Sequence, residues 1–139
     1  MKLFPFIAIM VVFLPIQSLA EETIVRDRTG KIIERRVQQG DTVKIYDPTG
    51  KLLGTEKIRG DKATVRDRTG KLLETDTQRG NRAFIRDRTG KLIGTERQQG
   101  NTVVVRDRQG RIVEQRTQRG NRVEIRDAAG RLLRIETGK

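Results

Sequence analysis

Residues 61–80 read Asp-Lys-Ala-Thr-Val-Arg-Asp-Arg-Thr-Gly-Lys-Leu-Leu-Glu-Thr-Asp-Thr-Gln-Arg-Gly, and this stretch decides the fold because most of the chain repeats it. Glycine occupies every tenth position from Gly30 to Gly130. A fixed period indicates one small structural unit that is copied end to end. Glycines that precede Lys or Arg alternate with glycines that precede Asp or Asn, so the repeat is twenty residues long.

The middle of each repeat predicts a tight turn. Asp67-Arg68-Thr69-Gly70 suits a type I turn closed by a left-handed glycine, because an Asp carboxylate accepts nearby backbone N–H groups and Gly adopts positive φ without steric cost. In the second repeat, Pro48 stands at the position where φ must be about −65°. We therefore predict structural turn residues at Asp27, Gly30, Asp47, Gly50, Asp67, Gly70, Asp87, Gly90, Asp107, Gly110, Asp127 and Gly130.

Two strands flank this turn in every repeat. Ala63 and Val65 alternate with polar residues, a period of two that is typical of a half-exposed strand. A Thr-rich segment follows the turn, and Gly80-Asn81 is typical of a tight hairpin. Because loops this short cannot make a parallel crossover, we predict an all-β antiparallel meander of about twelve short strands, in a closed or strongly twisted sheet. Its six hairpin repeats span residues 21–40, 41–60, 61–80, 81–100, 101–120 and 121–139.

The buried face of this sheet is left open by the sequence. One aliphatic column is expected from Val25, Ile45, Val65, Ile85, Val105 and Ile125, flanked by Val43, Ala63, Ala83, Val103 and Val123. With three-residue loops at both turns, Leu73 joins this column and Leu72 lies beside Arg66, whereas a two-residue loop at Gly80-Asn81 partly reverses the arrangement. Since a slip of one residue exchanges the two faces, both registers stay open.

The first twenty residues lie outside the repeat and have the layout of a secretory signal peptide. A short positive start is followed by the apolar run Leu3 to Ile16, and Ser18 and Ala20 are small residues at the expected cleavage site. The alternative is an uncleaved membrane anchor, although Pro5 and Pro15 interrupt the apolar run. We expect cleavage after Ala20 to leave residues 21–139 as a β-hairpin repeat domain without a transmembrane segment, in the periplasm or, alternatively, secreted.

The composition argues against an enzyme. The chain contains neither Cys nor His, which removes thiol catalysis, Ser-His triads and ordinary zinc sites from consideration. The turn aspartates form a column that calcium could bind, but each lies beside Arg or Lys, and turn capping accounts for the whole column. We therefore predict no catalytic activity, no metal and no cofactor.

The basic residues are the main functional clue. The chain holds 30 Lys and Arg against 18 Asp and Glu, a formal net charge of +12. Arginines that flank the turn aspartates are expected to draw a basic stripe along one edge of the sheet, partly offset by cross-strand pairs with Glu34, Glu56, Glu74, Glu96 and Glu114. The alternative is a solvated face that keeps the sheet soluble. The candidate anion-binding residues are Arg26, Arg28, Arg66, Arg68, Arg86, Arg88, Arg106, Arg108 and Arg126.

One repeat carries a family resemblance. The segment Tyr46-Asp47-Pro48-Thr49-Gly50-Lys51-Leu52 resembles the Tyr-Asp-x-x-Gly-Arg-Leu core of the YD repeats of bacterial Rhs-type secreted proteins. The other copies keep Asp-x-x-Gly followed by Lys or Arg, with Arg in place of Tyr. In that family the repeats wind into a β-sheet shell around a toxin, which six repeats are too few to form. The chain is also similar in layout to small exported "β-flower" hairpin-repeat proteins. These resemblances imply an all-β fold and no particular activity.

Taken together, these features favour an exported, non-enzymatic β-repeat protein that binds an anionic component of the cell envelope, such as anionic lipid or lipopolysaccharide. The alternative is a structural or protein–protein interaction module that meets an acidic protein through exposed strand edges or the basic face. Nucleic acid is disfavoured, because Tyr46 and Phe84 are the only aromatic residues after residue 20 and provide no stacking platform.

Overall fold

The structure, a computed structural model, describes residues 22–138 as twelve β-strands. The predicted signal peptide, residues 1–20, lies outside the described residues. The strands are β1 (Glu22–Asp27), β2 (Ile32–Gln39), β3 (Thr42–Tyr46), β4 (Leu52–Arg59), β5 (Lys62–Asp67), β6 (Leu72–Arg79), β7 (Arg82–Asp87), β8 (Leu92–Gln99), β9 (Thr102–Asp107), β10 (Ile112–Arg119), β11 (Arg122–Arg126) and β12 (Leu132–Gly138).

These strands form a closed antiparallel barrel. Each strand pairs with the next along the chain, and β1 closes the barrel by pairing with β12 from Thr23↔Gly138 to Asp27↔Arg134. The predicted all-β meander of six hairpins is therefore confirmed, in its closed form. Closure gives each of the twelve described strands two neighbours, so none of them presents a free edge for pairing with another chain.

The predicted Asp-x-x-Gly turns are present at one end of the barrel. In the third repeat the Gly70 N–H donates to the Asp67 carbonyl at 3.0 Å, and Gly70 adopts a φ of 91°. The Asp67 carboxylate accepts from the backbone N–H groups of Thr69 and Lys71 at 2.8 and 3.0 Å. The same carboxylate-to-backbone bonds recur at Asp27, Asp47, Asp87, Asp107 and Asp127.

The opposite end of the barrel carries the second kind of turn, which is a two-residue loop. Arg79 pairs with Arg82, so only Gly80 and Asn81 lie between the strands, and Gly80 has a φ of 64°. The Asn81 carbonyl accepts a 2.8 Å hydrogen bond from Gln98 N on β8, which ties the turn to the following strand. The first and last described residues, Glu22 and Gly138, lie at this end.

A β-bulge in every Asp-x-x-Gly hairpin sets the register and decides between the arrangements that the sequence left open. Arg66 pairs with Leu72 as expected, but the register then shifts and Val65 pairs with Glu74. Leu73 therefore does not join the valine column and is 39% exposed. The corresponding shift occurs in the other five hairpins. As a result a charged residue or, at Gly54 and Gly94, a glycine faces the barrel interior in place of the second aliphatic.

The barrel interior is consequently lined by two kinds of strand. Odd-numbered strands contribute the predicted aliphatic column, buried at Val25, Val43, Ile45, Ala63, Val65, Ala83, Ile85, Val103, Val105, Val123 and Ile125. Even-numbered strands contribute charged side chains between them. We call these the interior charge ring, which consists of Glu34, Arg36, Glu56, Glu74, Asp76, Glu96, Glu114, Arg116, Arg134 and Glu136.

Candidate functional site

The candidate anion-binding arginines all lie on the exposed surface near the Asp-x-x-Gly turns. Barrel closure changes their arrangement from the expected one. Because β1 and β12 meet, the arginines do not form a stripe along one sheet edge but a belt around one end of the barrel. Tyr46 occupies the belt position in the second repeat and lies under the Arg35 guanidinium, 5.9 Å from its carbon to the ring centroid.

Five belt arginines also have a structural role that the sequence did not indicate. The guanidinium of Arg66 donates to the Gly70 carbonyl at 3.1 Å. The same bond, from 3.0 to 3.2 Å, is made by Arg26, Arg86, Arg106 and Arg126 to the glycine of their own turn. A guanidinium has five N–H donors, so one bond to the turn leaves further donors for other partners.

Apart from the turn aspartates, the outer surface of β3 to β9 carries only one sign of charge. Successive residues of a strand point to opposite faces, so the positions that flank the buried aliphatic and charged residues point outward. At these outward strand positions there is no carboxylate on β3 to β9, and no cation there forms an ion pair with a described residue. We call this surface the basic wall, which consists of Lys44, Lys57, Arg59, Lys62, Arg66, Arg79, Arg82, Arg86, Arg97 and Arg106.

The rest of the outer surface is different, because there most of the strand arginines contact a carboxylate. Glu124 on β11 lies among three of them, with oxygen–nitrogen distances of 3.8 Å to Arg119, 3.2 Å to Arg122 and 3.2 Å to Arg126. On β1, Glu22 accepts from Arg35 at 2.8 Å. At outward strand positions of the described residues, cations without an ion pair are thus most numerous on the side formed by β3 to β9.

The glutamates expected to offset the arginines face the opposite way, so that expectation was wrong. Glu34, Glu56, Glu74 and Glu96 are buried inside the barrel, and the Glu114 side chain is only 16% exposed. The physical reason is the β-bulge, which turns this part of each even-numbered strand inward. These glutamates therefore lie inside the barrel, whereas the candidate anion-binding arginines lie on its surface.

Ion pairs satisfy part of the interior charge ring. Arg116 contacts Glu114 at 2.8 Å and Glu96 at 3.2 Å, and all three side chains are largely buried. Arg36 makes the equivalent pair of contacts, to Glu34 at 2.6 Å and Glu136 at 3.1 Å. Arg36 and Arg116 thus each contact one glutamate on their own strand and one on another even-numbered strand. These contacts link pairs of even-numbered strands inside the barrel.

Other acidic positions of the ring have buried carboxylate oxygens that lack a partner among the described residues. Asp76 is 4% exposed and Glu56 is 1% exposed. Both carboxylate oxygens of Asp76, Oε2 of Glu56 and Oε1 of Glu96 are buried without a hydrogen-bond partner in residues 22–138. A buried carboxylate without partners is costly in its charged form, so such groups retain their protons to higher pH.

Burial consequently raises the pKa of these acids. It raises the pKa of Asp76 to about 9, with a further contribution from Glu74, whose own pKa burial raises to about 7. Burial also raises the pKa of Glu56 to about 8 and that of Glu96 to about 6. The Asp76 carboxyl group is therefore protonated and neutral in the folded barrel at pH 7.

The turn aspartates behave in the opposite way. Their carboxylates are solvated and accept hydrogen bonds from the turn. At Asp67 the bond from the Thr69 hydroxyl contributes most, and these bonds lower the pKa of Asp67 below its ordinary value.

The described residues contain no group of three or more Asp, Glu, His or Cys arranged to hold a metal ion. Over the same part of the chain, no helix has the length and apolarity that a membrane span requires.

Comparison with known proteins identifies no family for the chain. No protein-family model matches the chain, and no similar sequence was found among curated proteins. The chain is similar to the X-ray structure of a protein from Arabidopsis thaliana, with 15% sequence identity and a TM-score of 0.42, over 86% of this chain and 82% of the plant protein. At this identity and score the similarity carries no argument about function.

Proposed function

We propose that the protein is an exported, non-enzymatic β-barrel that binds an anionic component of the cell envelope through the basic wall. One observation carries the proposal, which is the separation of charge between the two faces of the barrel. The wall collects ten cations with no carboxylate at the outward strand positions of β3 to β9, whereas Glu56, Glu74, Asp76 and Glu96 of the same repeats are buried. A surface of one sign attracts counter-charged partners and accelerates their association.

The spacing of the wall suits an array of anionic groups. Neighbouring strands lie about 4.8 Å apart, so cations on adjacent strands are close enough to contact one phosphate or two neighbouring ones. Arg79, Arg82 and Arg97 stand directly opposite one another across β6, β7 and β8. Like charges placed opposite each other destabilise a sheet, and a bound anion relieves that repulsion.

The alternative function is a structural or interaction module that meets an acidic protein. Barrel closure leaves no strand edge for this purpose among the described strands, so such a module would use the basic wall as well. The two functions therefore differ in the partner and not in the surface. Binding to anionic vesicles supports the first, and an acidic protein captured in the absence of vesicle binding supports the second.

Export and the family relationship are part of the proposal. Export rests on the apolar run from Leu3 to Ile16 and the small residues before Glu21. The intact mass of the protein recovered from the periplasm tests it, because cleavage after Ala20 removes residues 1–20. A relationship to the YD repeats rests on the motif from Tyr46 to Leu52, whose Asp-x-x-Gly core forms a turn at the end of the barrel.

The test of the proposed function compares three proteins in flotation with phosphatidylglycerol vesicles at low salt. The wild-type protein is expected to float with the vesicles. The triple variant Arg66→Gln, Arg86→Gln and Arg106→Gln removes three cations of the basic wall, and we expect it to remain at the bottom of the gradient. Because each of these arginines also donates to its turn, circular dichroism is used to check that the barrel remains folded.

A matched control removes the same charge from arginines that already have a carboxylate partner. Arg111 and Arg131 contact the turn aspartates at 3.0 and 2.9 Å, and Arg122 contacts Glu124 at 3.2 Å. The triple variant Arg111→Gln, Arg122→Gln and Arg131→Gln is expected to float like the wild-type protein. Equal loss of flotation in both triple variants would contradict a role for the basic wall and indicate attraction by net charge alone.

A further inference from the structure

Two hairpins of the barrel carry the same three arginines in the same register, forty residues apart. Arg119 and Arg122 pair across the β10–β11 turn, and Arg126 follows on β11. Arg79 and Arg82 pair in the same way across the β6–β7 turn, with Arg86 at the position of Arg126. The two hairpins therefore present equivalent arginine triads on the outer surface.

In one hairpin the triad holds a carboxylate. Glu124 lies at the centre of the β10–β11 triad and accepts from Arg122 and Arg126 at 3.2 Å, with Arg119 at 3.8 Å. Hydrogen bonds and the three nearby cations lower the pKa of Glu124, and Arg126 contributes most. The protein thus contains its own example of an anion bound by this arrangement.

In the other hairpin the anion is missing and an aromatic ring takes its place. Phe84 stands where Glu124 stands, opposite Thr77 on β6 and Thr95 on β8. Among residues 22–138 no carboxylate contacts Arg79, Arg82 or Arg86. A shallow pocket of about 120 Å³ is lined by Thr77, Arg79, Phe84 and Arg86.

A fourth arginine distinguishes the open triad further. Arg97 on β8 pairs with Arg82, whereas the equivalent partner of Arg122 on β12 is Thr137. Glu124 is thus surrounded by three arginines, whereas four arginines lie near Phe84. The additional charge favours a dianion over a carboxylate, and guanidinium groups bind phosphate oxygens in a bidentate manner.

We propose that the arginines around Phe84 form a binding site for a phosphate monoester attached to an aromatic or acyl group. Arg79, Arg82 and Arg86 contact the phosphate beside the ring, and Phe84 packs against the apolar group. The site deepens the proposed function, since it names the chemical group that the basic wall recognises. A lipid headgroup and a soluble phosphate ester both offer this chemistry.

Phenyl phosphate is the probe, and its binding is followed by NMR of backbone amides with the folded wild-type barrel. We expect shifts centred on β6 and β7, with inorganic phosphate binding more weakly because it does not contact the ring. Phe84→Glu places a carboxylate in the triad, as in β11. We expect it to weaken phenyl phosphate binding about tenfold or more, because the loss of hydrogen bonds to one charged group has an effect of this size.

The reciprocal variant is Glu124→Gln, which opens the second triad without adding an aromatic ring. We expect new shifts on β10 and β11 with phenyl phosphate and inorganic phosphate alike. Wild-type protein whose β6 and β7 amides ignore phenyl phosphate, or a Phe84→Glu variant that binds it unchanged, would overturn the site. Failure of Glu124→Gln to gain binding would overturn the equivalence of the triads, on which the site depends.

Flotation with vesicles that contain phosphatidic acid identifies the source of the phosphate. Loss of flotation in Phe84→Glu supports the site with a lipid headgroup as ligand. Flotation that persists while phenyl phosphate binding is lost supports the site with a soluble ester as ligand. Because phenyl phosphate requires no membrane, the site can stand where the vesicle test of the proposed function fails, and the reverse also holds.

Discussion

The sharpest consequence of the structure concerns Asp76, a buried acid that the fold keeps protonated. Both of its carboxylate oxygens lack a hydrogen-bond partner in the described part of the chain, and burial raises its pKa to about 9. In the unfolded chain an aspartate titrates near its ordinary value of about 4. Between these two pH values the folded barrel holds a proton at Asp76 that the unfolded chain has lost.

This difference makes the barrel less stable as the pH rises. The free energy of unfolding falls by about 1.4 kcal/mol for each pH unit over which the folded state holds one more proton than the unfolded state. From pH 5 to pH 8 Asp76 alone therefore contributes a loss of up to about 4 kcal/mol. Asp76→Asn removes this titration, since the amide is neutral at every pH and has nearly the same shape.

Urea denaturation followed by circular dichroism, at several pH values from 5 to 8, measures the effect. We expect the free energy of unfolding of Asp76→Asn to fall less steeply with pH than that of the wild-type protein, by about 1 kcal/mol per pH unit. The control is Asp61→Asn, which removes the same charge from an exposed turn where Asn81 stands in the next repeat. Parallel curves for the wild-type protein and Asp76→Asn would refute a proton held at Asp76.

Three further substitutions test the turns, the bulges and the interior ion pairs by their urea midpoints. Gly70→Val should destabilise the barrel by about 1–3 kcal/mol through its positive φ, and much more than Thr69→Ala; equal midpoints would mean that the turn assignment is wrong. Gly54→Ala should also destabilise it, since a Cβ there lies 2.5 Å from a backbone oxygen of the neighbouring strand, and a wild-type midpoint would contradict this close approach. Arg116→Met leaves buried carboxylates unpaired and should cost about 3–5 kcal/mol, against less than about 1 kcal/mol for the exposed Arg111→Gln; similar losses would argue against a buried ion pair.

The turns and strands could be predicted because their causes are local. Asp67 and Gly70 define the turn through one carboxylate and one positive φ, and both act within four residues of chain. Repetition then converts a single hairpin into a meander of twelve strands. The valine column was predicted correctly for the same reason, since strict alternation on the odd-numbered strands needs no knowledge of their partners.

The inward face of the even-numbered strands could not be predicted, because a bulge reverses the alternation there. Arg66 pairs with Leu72 in the expected register, but the next inward pair is Val65 with Glu74. A bulge leaves one residue of a strand unpaired, and the alternation of residue types does not show where that residue lies. One signal was available: Gly54 and Gly94 alternate with Glu34, Glu74 and Glu114 at the same repeat position, as expected for side chains that share a confined space.

Closure also explains why the arrangement of the arginines was misjudged. An open sheet would place them along one edge, whereas the closed barrel distributes them around one of its ends. The equivalence of the β6–β7 and β10–β11 triads emerges only when the two registers are compared. Glu124 and Phe84 occupy equivalent positions in their repeats. Which arginines lie near each of them depends on the residues of the adjacent strands.

The most direct test of the central claim is the salt dependence of wild-type binding to phosphatidylglycerol vesicles. Binding through the basic wall is electrostatic, and the Debye length shortens from about 30 Å at 0.01 M salt to about 8 Å at 0.15 M. We predict strong binding at the lower salt concentration and a steep loss of affinity toward the higher one. Wild-type protein that ignores the vesicles at 0.01 M salt, or binds them equally well at both concentrations, would contradict the claim.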